Sequence, residues 1–367
     1  MRYRDIFLSI VLTVLSIYPN AFAEVYTVIP TDNLTKACAG LKLGDELVLS
    51  SGEYTANDTN YCEIKTSGTS EAPITVRGED PQNPPVIKRT SGTVFNLIGV
   101  SYVNLTDISC DGSPGNCVKI KDSSYINITG IHAFRNNQGV EVIGSHNVKI
   151  SFSVFLWNSQ AIYVYGGSSK VIAEHNIGLY NARTLKGDRC TFCAGGSLLN
   201  PAGNDITFSR NVLAYNGGPY NDVNPSDAAL TASFGPRLFV NDNQVWMNRR
   251  TGINTAETTH AVVSNNYVVN NGTHCQKESN ISGLMIANGA PNTMVFNNTV
   301  MNNCVAPGAL GTGIGAGAGL LVRAPPSRDM KNISLFNNRV SGTKNGPDYL
   351  VDPKSSTQGL WTPDGHH

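Results

Sequence analysis

Two adjacent arginines, Arg249 and Arg250, stand in the short segment NRRTGIN, and longer segments on both sides of it gather charged and hydroxyl-bearing residues. Before them come Arg183, Lys186, Asp188 and Arg189, then Tyr220, Asp222 and Asp227; after them come His274, Lys277 and Glu278. Such a mixture has a definite chemical use. Aspartates supply the oxygen ligands that a hard cation such as calcium takes, and Asp188, Asp222 and Asp227 are the nominees for that role. Arginine or a bound cation neutralises a carboxylate, which lowers the barrier to removing the neighbouring proton, and a base among Arg, Lys, His or Tyr then takes it. Arg249, Arg250 and Lys186 are the candidates for chemistry, and Arg183, Tyr220, His274 and Lys277 for holding a substrate. Plainer readings stay open: the two arginines as solvated turn residues, and Asp222 and Asp227 in YNDVNPSDA as turn caps.

A repeat is what would bring these segments together. Aligned on a pair of asparagines five positions apart, KVIAEHNIGLYN (170–181), DITFSRNVLAYN (205–216), RLFVNDNQVWMN (237–248), HAVVSNNYVVNN (260–271) and NTMVFNNTVMNN (292–303) are copies of one unit. NVKISFSVFLWN (147–158) has serine at the first place, and NISLFNNRVSGT (332–343) is a degenerate copy. Copy starts at Val103, Ile126, Val148, Val171, Ile206, Leu238, Ala261, Thr293 and Ile333 are spaced 23, 22, 23, 35, 32, 23, 32 and 40 residues apart. Between copies lies a second alternating strand, as in GVEV, AIYV, GINTA, GLMIA and GLLV. Period-two alternation with Gly or Asn at the corners means strands and tight turns. A unit of about 23 residues cannot bury its own apolar face, so units must stack. The sequence predicts an all-β fold, a right-handed parallel β-helix, with Ser153, Asn176, Asn211, Asn243, Asn266, Asn298 and Asn338 forming an internal amide ladder. Leu34, Ala37, Cys38 and Leu41 have helical spacing behind Asn33 or Thr35, which predicts a short N-terminal capping helix.

The extra residues that lengthen the spacings are expected after the second asparagine, at 182–195, 217–227 and 272–282, with a further gap at 304–318. They would then project from one edge of the stack, leaving NRRTGIN as a notch between long loops. Trp157, Tyr163, Tyr165 and Trp246 lie on nearby coils; some would stack on sugar rings, while Trp157 and Trp246, in apolar strands, read as core. The run GALGTGIGAGAG (308–319) lacks a Lys-Ser/Thr ending and a following helix, so it reads as a turned insertion and not a phosphate loop.

The segments LKLGDELVLSSGEYT and APITVRGEDPQNPPVI, with the asparagine-bearing coils, resemble the pectin-lyase-like β-helix superfamily over about residues 26–343. The N-terminal part is similar to alginate and chondroitin lyases of the chondroitinase B type. The resemblance implies a carbohydrate-active protein, here a lyase that cuts an acidic, uronate-containing polysaccharide by β-elimination; the Glu-containing calcium motif of chondroitinase B relatives aligns with no stretch of this sequence, so calcium rests on the aspartates named above. The superfamily also holds hydrolases, uronate epimerases and non-catalytic proteins, so a polysaccharide-binding protein and a hydrolase or epimerase remain the alternatives. Neither a clustered Asp-Asp pattern of polygalacturonases nor the Asp-Pro-His signature of mannuronan epimerases stands in this sequence.

The first 23 residues, with Arg2 and Arg4, an apolar run and Ala21-Phe22-Ala23, read as a signal peptide. The run falls short of the roughly 20 residues that span a bilayer. A secreted protein is therefore expected, extracellular or periplasmic, with no membrane insertion after cleavage. The remaining chain, 25 basic against 26 acidic residues, is close to neutral, which argues against nucleic-acid binding. A monomer acting on acidic polysaccharide is expected, divided into cap and first coils (24–100), regular coils (101–343) and a tail (344–367). Eight cysteines in an exported chain read as disulfides, paired between sequence neighbours: 38 with 62, 110 with 117, 190 with 193, 275 with 304. Zinc at CTFC is the alternative there.

Overall fold

The computed structural model describes residues 23–56, 60–182, 190–195, 201–217, 228–275, 281–305, 317–323, 330–351 and 357–358. Their strands form three sheets, all parallel, of 13, 11 and 11 strands. We call them A, B and C in the order the chain visits them. One regular coil runs through His146–Ser151 in sheet A, Val154–Leu156 in sheet B and Gln160–Tyr165 in sheet C before the next begins at Ser169. Register is kept coil after coil: Val148 pairs with Val171, Val171 with Ile206, and Ile206 with Leu238.

Alternation sets what faces inward. Val148 and Ile150, Val171 and Ala173, Ile206 and Phe208 are buried from sheet A, Phe155, Leu213 and Val245 from sheet B, and Ile162, Phe192, Leu230 and Ile253 from sheet C. Burying each such aliphatic side chain stabilises the fold by about 1.5–3 kcal/mol, so stacking supplies what one coil lacks. Volume is balanced between layers: Phe155 packs edge-on against Phe192 at 6.0 Å, and glycine at 178 leaves the room.

The corners follow a five-residue rhythm. Residues 147, 152 and 157, then 170, 175 and 180, then 205, 210 and 215, all have left-handed backbone, with φ between 50° and 58°. Behind two of these corners run asparagine ladders. Asn176 accepts from the Ser153 N–H at 3.0 Å, and its amide donates to the Ile150 carbonyl at 2.9 Å and to Asn211 Oδ1 at 3.1 Å. The same pattern continues through Asn243, Asn266, Asn298 and Asn338. The second asparagine of each pair does likewise: Asn136, Asn158, Asn181, Asn216, Asn248, Asn271 and Asn303 form a parallel ladder at the corner between sheets B and C. Sequence reading assigned only the first member of each pair to a ladder.

A helix, α1 (Leu34–Ala39), covers the N-terminal end with Leu34 and Cys38 buried. Asn33 caps it by accepting from the Lys36 N–H at 2.9 Å. All four neighbour pairings of the cysteines are disulfides, including 190 with 193, so the CTFC cysteines are paired with each other and not left as zinc ligands.

Candidate active site at the corner between sheets B and C

After each second asparagine the chain first binds the coil below, and only then departs. The Ala182, Gly217 and Gly272 N–H groups donate to the carbonyls of Asn158, Asn181 and Asn248, each at 2.8–2.9 Å. Cys304 does the same to Asn271. The departure points of four lengthened segments are thus stacked in register. Glycine is required at two of them. A Cβ on Gly217 (φ 105°) would stand 2.6 Å from Arg249 Cβ, and one on Gly272 (φ 76°) only 1.9 Å from the Cys304 carbonyl oxygen.

Between Gly217 and Gly272 the coil carrying Arg249 and Arg250 turns directly into the strand Thr251–Ala256. The two arginines are not solvated: they are 7% and 8% exposed. The Arg249 stem lies over Gly217, its carbonyl accepts from the His274 N–H at 3.4 Å, and the Arg250 carbonyl accepts from the Gly272 N–H at 3.0 Å. His274 itself is exposed, on a turn that the Cys275–Cys304 disulfide fixes to the coil above. Beside it opens a cleft of about 600 Å³, lined by Met247, Asn270, Thr273, His274, Asn302 and Lys344.

Of the residues nominated from sequence, Arg249, Arg250 and His274 lie within the described residues, and the main chain of His274 bonds that of Arg249. Arg183, Lys186, Asp188, Tyr220, Asp222, Asp227 and Lys277 lie outside the described residues, as do Arg189 and Glu278. The fit of calcium to Asp188, Asp222 and Asp227 falls with them. Among the described residues no three His, Cys, Asp or Glu side chains gather to hold a metal, and no step below is routed through one.

Two expectations are corrected. The extra residues between Val171 and Ile206 do not all leave at one edge: the strand Phe192–Ala194 returns to sheet C, and a second lengthened stretch then leads into sheet A at the opposite edge, where Ala202 donates to the Phe234 carbonyl. Nor is Trp157 core. It is 41% exposed at a left-handed corner and begins a column of rings with Tyr180 and Tyr215, at centroid distances of 6.0 and 5.4 Å and nearly parallel planes. Because these rings face one another along the stack, their edges and not their faces point outward, which suits a structural column better than a platform for sugars. Trp246, part-buried, faces outward from sheet B and meets Tyr215 edge-on at 5.0 Å.

One polar cluster was missed. On the outer face of sheet C, Glu141 accepts from Asn116 and Tyr165 beside Lys119. The signal was in the alternation of GVEV and AIYVY, which turns Glu141, Tyr163 and Tyr165 outward; what no single copy shows is that register sets Lys119, Glu141 and Tyr163 side by side.

The family model described as the right handed beta helix region matches residues 177–324. No curated protein sequence matches the chain. Among solved structures, an alginate lyase from Paenibacillus sp. str. FPU-7 superposes with a TM-score of 0.62 at 14% identity, covering 88% of this chain and 99% of that one. The A-module of the Azotobacter vinelandii mannuronan C-5 epimerase AlgE4 gives 0.59 at 16%, covering 89% and 94%. The A-module of AlgE6 from the same organism gives 0.51 at 15%, covering 90% and 93%. At such identities the likeness is one of architecture: the chain has the right-handed parallel β-helix fold.

Proposed function

We propose that the protein is an exported polysaccharide lyase that cleaves a uronate-containing chain by β-elimination at the corner between sheets B and C. The observation that carries this reading is the pair Arg249 and Arg250, nine-tenths buried at the foot of stacked departing segments, with the His274 main chain bonded to the Arg249 carbonyl and an open cleft that His274, but neither arginine, lines. A guanidinium in a water-poor setting binds a carboxylate through two parallel hydrogen bonds, and its attraction for charge developing there is stronger than in water. With the uronate carboxylate neutralised, loss of the C5 proton to a base leaves an enolate-like carboxylate. Expulsion of the C4 oxygen, which takes up a proton from the protonated base or from water as it leaves, then cuts the chain and leaves a C4–C5 double bond. Arg249 and Arg250 serve as carboxylate clamp, His274 as base or substrate contact. The architectural likeness to an alginate lyase supports the reading without deciding the reaction.

A second reading shares the first step. If the proton returns to the opposite face of C5 before the leaving group departs, the product is the epimer, and a named C-5 epimerase module is among the similar structures. Purified protein incubated with alginate, pectate and chondroitin sulfate, with and without calcium, separates the cases. Rising ultraviolet absorbance from an unsaturated uronate, abolished in Arg249→Ala or Arg250→Ala, supports the lyase. A flat trace with an altered proton NMR spectrum of the polymer supports the epimerase. No change in either, with retained affinity for the polymer, moves the assignment to a non-catalytic binding protein.

A further inference from the structure

The residue that follows each second asparagine keeps one register position along the corner between sheets B and C. Arg249 donates its N–H to the Asn216 carbonyl at 2.9 Å, Gly272 to Asn248 at 2.9 Å, Cys304 to Asn271 at 2.8 Å, and Lys344 to Asn303 at 2.9 Å. Lys344 is therefore the counterpart of Arg249 three coils further on, roughly 14 Å along the axis at about 4.8 Å per strand spacing. In that last, degenerate copy Thr343 stands where the others carry the second asparagine, and the cation comes directly after it.

The main chain of Lys344 is fixed and its side chain is not. Its carbonyl accepts from the Val305 N–H at 2.9 Å, it bridges in parallel to Cys304, and the next residue, Asn345, turns its amide to Cys304 Sγ at 3.3 Å and Cys275 Sγ at 3.5 Å. The residue is nonetheless exposed, and it lines the cleft of about 600 Å³ that His274 also lines. Among the described residues its ammonium has no ion-pair partner, and no carboxylate lines the cleft. Asp348, four positions on, is occupied elsewhere: its Oδ1 accepts from the Thr343 N–H at 2.9 Å, in the place where Asn303 Oδ1 accepts from the Asn271 N–H.

Between the arginine coil and Lys344 the wall is neutral and polar. Asn270 and Asn302, one coil apart with left-handed φ of 55° and 53°, are both exposed. Their N–H groups donate to the Met301 and Ser341 carbonyls, which ties down the backbone and leaves the side-chain amides at the cleft. An ammonium takes a carboxylate, and amides both donate to and accept from hydroxyls. A single small anion would engage Lys344 and leave the amide row untouched, whereas a run of uronates lying along the corner engages both. We infer that Lys344 binds the carboxylate of a uronate further along the polymer than the one at the arginine corner, so that the substrate lies parallel to the stack across Asn270 and Asn302. This rests on the reaction site proposed at Arg249 and Arg250, and it makes Lys344 a positioning residue that decides how long a piece of polymer is held, with no part in the bond that breaks.

Isothermal titration calorimetry of the full chain with di- and hexamannuronate, and with di- and hexagalacturonate, tests this directly. Lys344→Met is expected to weaken the hexauronate that binds by about fivefold, the upper end for one exposed ion pair, and to leave the diuronate of the same series unchanged. Lys344→Arg keeps the charge and is expected to restore most of the affinity, while Arg249→Ala weakens both lengths. With polymer as substrate, Lys344→Met is expected to raise KM and spare kcat, as loss of binding shared by ground and transition states does. Only the main chain of Lys344 is engaged in the fold, so its thermal melt is expected to match the parent. Equal loss for both lengths overturns the inference, as does a hexauronate affinity that Lys344→Met leaves unchanged or Lys344→Arg fails to restore, or binding of neither hexauronate. Absence of unsaturated product with the length-dependent loss still present would sink the proposed lyase and leave Lys344 in its role, so the two fail separately.

Discussion

The corners between sheets A and B and between sheets B and C are built with the same part, a ladder of buried asparagines, and used for opposite ends. Asn243 and Asn248 each accept from the backbone and side chain of the asparagine one coil back, and each donates to a carbonyl and to the next asparagine. The chain after Asn243, like that after Asn211 and Asn176, enters its sheet B strand at once, whereas after Asn181, Asn216, Asn271 and Asn303 it lengthens. A three-residue strand whose middle side chain is buried leaves no place to interrupt. After the second ladder the next residue is already tied to the coil below, so whatever follows is free to vary without unwinding the stack. The lesson is that a rigid ladder makes the neighbouring turn a safe place for chemistry.

The sharpest break of this comparison is in activity. Arg249→Ala and Arg250→Ala are expected to lower the rate of unsaturated product formation by about 10²–10³-fold, the usual cost of a lost charge-stabilising group. Arg250→Lys is expected to recover little, because lysine keeps the charge and loses the two-pronged geometry. Initial rates by ultraviolet absorbance decide it, and a rate within a factor of three of the parent would exclude the corner as the reacting site.

Next come the ladders themselves. Asn243→Ala and Asn248→Ala each remove four hydrogen bonds and leave buried backbone groups without partners, at a cost of about 3–5 kcal/mol in urea unfolding. Only Asn248→Ala is expected to depress activity in the fraction still folded. Equal effects of both on activity would erase the distinction between the corners.

Replacing Cys275 and Cys304 together by serine opens a bridge across 29 residues and is expected to cost about 2–4 kcal/mol. The bridge from Cys190 to Cys193 spans 3 residues, so its removal is expected to cost less. Comparing the two melts ranks how firmly each departing segment is held.

The smallest effect belongs to the surface. Hydrogen bonding from Lys149, at 2.8 Å, holds the Glu174 carboxyl below its ordinary range despite some desolvation, with Arg210 further off at 3.9 Å. A carboxyl lowered on folding adds stability above its unfolded value of about 4.3 and loses it as pH falls through the folded value. Glu174→Gln is therefore expected to flatten the acid limb of the stability profile slightly at low salt and to be silent at high salt, where such pairs are screened.

Much of the scaffold was legible because its rules are local. A spacing of 23 residues, asparagines five apart and alternation with period two follow from strand geometry and corner geometry alone, and each cysteine pairs with a sequence neighbour because coils close on themselves. The capping role of Asn33 needed only three residues of context. The site was less legible, since its parts are related by stacking. Glu141 meets Asn116 from 25 positions away and Tyr165 from 24, distances at which only register decides who is adjacent.

By itself, then, the sequence determined the coil, the first members of its ladders and one of the turns where the chain lengthens, all consequences of backbone periodicity within one repeat. Tertiary structure alone decided that Arg249 and Arg250 are buried, that Trp157 is not, that a second ladder runs behind the first, and that Glu141 sits among three donors. Burial and partnership are properties of what lies one coil above and below, and a repeat read along the chain does not contain its own neighbours.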